Sequence, residues 1–228
     1  MIENKKKFSG GVGLMIGFVI ILILFFSPIF EGKNGLDYLD DLYNSISKGS
    51  ADYIQKVKEE SEPFKGSPAN VSLDMKSEKQ AQQTALLFKK SGATVDVSGL
   101  KLKVSGDLGN ILENCLADSD AMYRNDGPAV STKYGYEEKR ALFNWWQALN
   151  EMEKDLKRQK KFKEAEVVSV VLKKAVETAY NYYGIAPQGI GDRWGVVLFS
   201  LIFYVLYTVW YGFAIMYLFE GWGLKLEH

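Results

Sequence analysis

The chain has 228 residues, 28 basic against 28 acidic, with one cysteine and one histidine. The histidine, His228, ends a Leu226-Glu227-His228 triplet that reads as a cloning-tag remnant. Without it, His-based acid–base chemistry, Ser-His-Asp triads and His-ligated haem lose their key residue; zinc lacks ligands in number, no internal disulfide can form, and balanced charge offers nucleic acid no basic field.

The first uncharged run is Phe8 to Phe30, 23 residues behind Lys5-Lys6-Lys7. A bilayer-spanning helix needs about 20 apolar residues. The run is too long for a signal-peptide core and offers no small-residue cleavage site, so it is expected to be an uncleaved anchor. The lysines place its start in the cytoplasm by the positive-inside rule.

Asp37 to Ser47 and Ala51 to Glu60 read as short helices. Lys65-Gly66-Ser67-Pro68 is a break. A compact βαββα pattern follows. Val71, Leu73 and Met75 alternate as a strand. Ser77 with Gln80 opens a helix as a capping box, with Ala81, Thr84, Ala85 and Phe88 on one face, and Gly92 closes it. In Val95 to Val104, a Ser98-Gly99 loop pairs Val97 with Leu100 and Val95 with Leu102. Leu108, Ile111, Leu112, Cys115 and Leu116 then follow at helical spacing, which makes Cys115 a buried thiol.

From Tyr136 the pattern becomes heptad-like. Leu142, Trp145, Leu149, Met152 and Leu156 form one seam; Val168, Leu172, Ala175, Ala179 and Tyr182 form another. Gln159 and Lys163 fall between them, out of register. An antiparallel hairpin turning near Lys160–Lys163 explains this; one long helix with a stutter is the rival. Gly184 ends the second arm, and Pro187 to Gly191 links it to a second uncharged run, Trp194 to Phe219, of 26 residues. Trp194 and Trp222 sit where interfacial tryptophans belong.

The fold class is therefore α+β: two transmembrane helices flank an extracytoplasmic domain with a small βαββα unit and a long, coiled-coil-like helical hairpin. Residues 1–7 form a cytoplasmic tail, 8–30 the first span, 31–190 the outer domain, 194–219 the second span and 220–228 a second cytoplasmic tail.

Few side chains invite chemistry. Asp118, Asp120, Asn125 and Asp126 are dense in oxygen, but Met122 and Tyr123 stand where a calcium loop needs a ligand and a glycine; a solvated helix end and loop is expected. Lys154, Lys157, Arg158, Lys160, Lys161 and Lys163 read as a solvated face, with anionic headgroups or an acidic partner as the sharper reading. Trp145 lies on a seam and is expected in the core, although Trp145-Trp146 would also stack on a ring ligand. Asn70-Val71-Ser72 is read as a chance sequon match. Phosphate loops, metal-ligand spacings and nucleophile elbows are missing, so neither catalytic residues, cofactor nor metal is expected.

The second span carries a pattern of its own. Ser200, Tyr204, Tyr207, Thr208 and Tyr211 share an arc of about 100° on a helical wheel, and hydroxyls at that depth want partners. Gly10, Gly13 and Gly17 on the first span offer a small-xxx-small face. These eight residues are the candidate helix-packing set, with Trp210 assigned to the opposite side. The function expected is that of a non-catalytic envelope protein, a structural or accessory subunit of a membrane assembly. Its partners are the lipid bilayer and further copies or other membrane subunits, with no nucleic acid. The alternatives are a pore lined by the second span and an outer-domain ligand sensor that signals through a membrane partner.

Overall fold

A computed structural model describes residues 2–224 of the chain. The contacts divide it into two compact units. One is Ser50–Ala186; the other joins the chain up to Gly49 with the chain from Pro187 onward. The Leu226-Glu227-His228 triplet and Lys225 lie outside the described residues.

The Ser50–Ala186 unit is a mixed, helix-rich fold around one small sheet. It opens with α3 (Ile54–Ser61), then β1 (Pro68–Asp74), α4 (Glu78–Lys90), β2 (Thr94–Ser98), β3 (Lys101–Asp107) and α5 (Leu108–Tyr123). This is the βαββα order the periodicity predicts. The three strands are antiparallel in the order β1-β3-β2, so β3 is central. Ala69, Val71, Leu73, Leu102 and Val104 point to the buried face. The local signals work as expected. Ser77 Oγ accepts the Gln80 N–H at 3.2 Å, and Gly92 adopts φ +80° after the helix. Gln80 reaches past the cap and accepts from the Lys76 N–H at 3.0 Å. Asp107 ties the break to the next helix: its carboxylate accepts from Gly66 N at 2.5 Å and from Asn110 N at 2.9 Å.

The hairpin register departs from expectation by two residues. Val97 pairs with Leu102 and Val95 with Val104, so the turn is Gly99-Leu100 rather than Ser98-Gly99. Gly99 has φ +58° and Leu100 stays negative. That matches two-residue turns that want glycine first. A shift of two preserves the facing of the valines, because side chains alternate with period two. It moves Leu100 off the sheet, where its carbonyl accepts from Met75 N at 2.8 Å.

Three further segments complete this unit: α6 (Gly127–Tyr134), α7 (Glu138–Arg158), and a second arm made of α8 (Phe162–Val171), a π turn at Leu172–Val176 and α9 (Glu177–Tyr182). The stutter is excluded: α7 stops and the chain turns back against it as a helical hairpin. Lys160 takes φ +62°. The Lys161 N–H then reaches the Leu156 carbonyl at 2.9 Å and Lys160 N–H the Lys157 carbonyl at 3.0 Å. This closure ordinarily uses glycine; lysine serves it here. The first seam is buried throughout, and the π turn holds Leu172, Ala175 and Val176 inward. Helix α6 replaces the expected loop. Asp126 accepts from Ala129 N at 3.3 Å, Pro128 sits in the first turn and Gly135 closes it at φ +75°. Asp, Pro and Gly at those places are a readable helix signature.

The other unit holds α1 (Lys5–Phe25), α2 (Gly35–Ser50) and α10 (Ile190–Gly221). Helix α1 is long and apolar enough to cross a membrane, and so is α10. Residues 26–30 of the uncharged run are not helical. A residue before proline is pushed out of the α region, and Pro28 follows Ser27, whose Oγ caps the Ile23 carbonyl at 2.7 Å. The chain turns back through a Phe30–Lys33 bridge into α2. Residues 31–49 thus pack with the apolar helices rather than with the mixed unit.

Candidate functional site: the apolar helix pair and its groove

Helices α1 and α10 run antiparallel in close contact. Where α1 begins and α10 finishes, their approach is set by one glycine on each helix. A Cβ on Gly11 would stand 2.7 Å from Leu218 N, and one on Gly221 would stand 2.5 Å from Phe8 N. Ala214 is fully buried between them. Midway, the Trp210 ring lies over Gly17, where a Cβ would come within 2.9 Å. The Trp210 indole N–H donates to the Leu14 carbonyl at 3.0 Å. Phe18 stacks on Tyr207 with centroids 4.3 Å apart and tilts against Tyr211 at 5.0 Å. Phe25 stacks on Phe203 at 6.1 Å.

The candidate packing set divides on these contacts. Gly17, Tyr207 and Tyr211 meet the partner helix. Gly10 and Gly13 face open space. Ser200 is buried, but against α2: its Oγ is hydrogen-bonded to the Tyr43 hydroxyl at 2.6 Å. Thr208 donates to the Tyr204 carbonyl one turn back at 2.7 Å. Tyr204 is 68% exposed and Tyr211 46%. The Tyr207 hydroxyl is buried without a hydrogen-bond partner. Trp210 belongs to the contact and not to the opposite side. Wheel geometry groups residues by angle, but it cannot say which of two arcs the partner helix takes. An indole that spans the gap over a glycine overrides a row of hydroxyls.

Beside the pair, α1, α2 and the first turns of α10 enclose an apolar groove of about 250 Å³. It is lined by Ile21, Leu24, Phe25, Ile29, Phe30, Gly35, Tyr38, Leu39, Val196, Phe199, Ser200 and Phe203. It opens beside a polar recess of about 170 Å³ lined by Glu31, Lys33, Tyr38, Asp41, Leu42, Ser45, Gln188 and Arg193. Lys33 pairs with Asp41. Gln188 is anchored through its backbone N–H to the Ser45 carbonyl at 3.1 Å and accepts from Arg193 Nε at 3.1 Å.

The mixed unit contains a second polar cluster. Asp118, expected in a solvated helix end, is 2% exposed. Its carboxylate accepts from Lys133 Nζ at 2.6 Å, the Tyr134 hydroxyl at 2.5 Å and Trp145 Nε1 at 2.8 Å. Asn114 bridges the same group, donating to the Tyr134 hydroxyl at 3.1 Å and accepting from Lys133. Burial, then the Asp118 charge, raises the Tyr134 phenol above the ordinary tyrosine range. The neighbouring Cys115 thiol is also buried and is pushed well up by loss of water, then by Asp118. A protonated thiol facing a carboxylate is a poor nucleophile. Every oxygen of Asp118 is engaged in holding α5, α6 and α7 together. The sequence signal for this was faint, since only burial distinguishes Asp118 from its neighbours.

The other expected centres resolve into structure. Asp120 pairs with Arg124, Asn125 bonds the Ile185 carbonyl and Gly184 N–H, and Asp126 caps α6. Among the described residues, no group of three or more His, Cys, Asp or Glu is placed to hold a metal. Lys154, Lys157 and Arg158 form ion pairs within α7. Trp146 donates to Glu177 at 2.9 Å. Asn70, in the sequon, accepts from Ser105 Oγ at 2.5 Å. No protein-family model, curated protein or solved structure matches the chain.

Proposed function

We propose that the chain is a non-catalytic integral membrane protein in which α1 and α10 cross the bilayer side by side and carry a folded outer unit as a structural or accessory subunit of an assembly. The observation that carries this reading is the exposure of the pair. Ile20, Ile23, Phe199, Leu201, Val205 and Leu206 are each at least half exposed. Ordinary soluble surfaces do not present apolar patches of that extent. A bilayer covers them without cost. Lys5, Lys6 and Lys7 set the first turn of α1 on the cytoplasmic side, which puts the Ser50–Ala186 unit outside and the C-terminal end back in the cytoplasm.

The assembly reading rests on the exposed hydroxyls. Tyr204 is largely exposed and Tyr211, although its ring tilts against Phe18, keeps nearly half its surface open, so both are available to a second protein, and hydroxyls at this depth are poorly placed against lipid. A further copy or another membrane subunit fits better than a conducting pore, because neither helix carries charge within its apolar stretch.

Single-cysteine labelling from outside intact cells, in a Cys115→Ser background, tests the placement. Lys65→Cys should react with an impermeant maleimide and Lys225→Cys should not. The reverse pattern would invert the topology. Recovery of the chain in the soluble fraction would end the membrane reading.

A further inference from the structure

The groove beside the helix pair and the polar recess adjoin each other across Tyr38. Phe30 lines the groove and its neighbour Glu31 the recess, while Tyr38 lines both. Arg193 stands next to Trp194, the residue type that marks membrane interfaces, so the recess lies at headgroup level in the proposed placement. Phe203, at the far end of the groove, is ten residues on, or about 15 Å deeper along the helix. The site thus runs from headgroup depth into hydrocarbon.

Its chemistry changes along that path in the order a phospholipid requires. The deep part presents Leu24, Phe25, Leu39, Phe199 and Phe203. The recess presents both signs of charge. Lys33 and Asp41 neutralise one another. That leaves Arg193, whose guanidinium spends Nε on Gln188 and has no carboxylate within 4 Å among the described residues. It also leaves Glu31, likewise without an ion pair there and held at φ +54°. A guanidinium with open N–H groups matches phosphate oxygens in bidentate fashion. A carboxylate matches a primary ammonium.

We propose that this site holds one phospholipid of the surrounding bilayer, of the phosphatidylethanolamine class. One acyl chain lies in the groove, the phosphate meets Arg193 and the ammonium meets Glu31. A phosphatidylglycerol would satisfy Arg193 but, having no ammonium, leave Glu31 without a counter-charge. A free fatty acid would supply no ammonium either. The proposal rests on the membrane placement above and adds a lipid binding site to it.

The test uses the full chain incorporated into nanodiscs of equal phosphatidylethanolamine and phosphatidylglycerol, then released into mild detergent. Native mass spectrometry counts the lipid retained. Wild type should keep one phosphatidylethanolamine in excess of the bulk ratio. Arg193→Gln should weaken retention about tenfold, the effect of one charge-assisted hydrogen bond. Glu31→Gln should equalise the two lipids. Leu39→Trp should fill the groove and abolish retention, and the two polar variants decide the matter if that one fails to fold. Retention of neither lipid, or of both at the bulk ratio by wild type, would overturn the proposal; so would unchanged retention in Arg193→Gln. Failure of the chain to enter nanodiscs at all would strike the membrane reading instead.

Discussion

The Trp210 indole N–H donates to the backbone carbonyl of Leu14 across the helix gap at 3.0 Å. This bond ties α10 to α1 at mid-height and depends on Gly17, the only size of residue that leaves room for the ring. In a bilayer, lipid tails are as apolar as leucine, so packing and a few interhelical hydrogen bonds hold such a pair. Trp210→Phe should cost about 1 kcal/mol, and a Gly17→Leu change more, because the ring has no place to go. Thermal unfolding in mild detergent should show Trp210→Phe melting about 3 °C lower. An unchanged melting temperature in both variants would mean the pair is not held there.

Tyr207 offers the opposite sign. Its hydroxyl is buried with no partner, while its ring stacks on Phe18. Removing an unsatisfied buried polar group is neutral or stabilising, worth up to about 1 kcal/mol. Tyr207→Phe should therefore melt at or above wild type. Tyr204→Phe with Tyr211→Phe should leave the melting temperature alone and weaken association between subunits, read by mass in detergent. If the Tyr207 change alone breaks up the assembly, its hydroxyl has an intermolecular partner and the assembly face includes it.

Asp118 ties α5, α6 and α7 together within the Ser50–Ala186 unit. Asp118→Ala would strand Trp145 Nε1 and the Tyr134 hydroxyl in the core, and breaking a buried pair costs about 3–5 kcal/mol. The full chain should lose most of its cooperative unfolding of this unit, followed by near-ultraviolet circular dichroism. A loss under about 1 kcal/mol would show that the cluster is solvated.

Alkaline pH probes the same region. Burial raises the Tyr134 phenol, and Tyr136 rises to about 12 by burial as well. A raised pKa favours the protonated form in the fold. The stability it confers is complete below the unfolded value of about 10 and declines as pH climbs above it. The melting temperature of the Ser50–Ala186 unit should therefore fall between about pH 10 and pH 12, and fall less in Tyr136→Phe. A flat profile in wild type would contradict burial of both phenols.

The α7–α8 turn gives a gain-of-stability test. Lys160 adopts a left-handed conformation at φ +62°, which costs a side-chain-bearing residue about 1 kcal/mol. Lys160→Gly should recover part of that and raise the melting temperature by a few degrees. A lower melting temperature would show that the lysine side chain holds the turn.

Much of this architecture is written in local patterns. The two apolar runs, the βαββα order, the Ser77 cap, the buried Cys115 and both seams are legible, because periodicity and caps report on a few neighbouring residues. The helix start at Asp126-Gly127-Pro128 is equally local, although the density of oxygen side chains before it reads as a loop. What needed tertiary structure was every choice between partners. The hairpin register depended on whether Gly99, with its positive φ, stood first or second in the turn. The burial of Asp118 depended on Lys133, Tyr134 and Trp145 arriving from later helices. The face of α10 that meets α1 was decided by an indole fitting over Gly17, a match between residues 193 positions apart in sequence. Hydropathy marks which helices shed water; only shape complementarity says which of their faces touch.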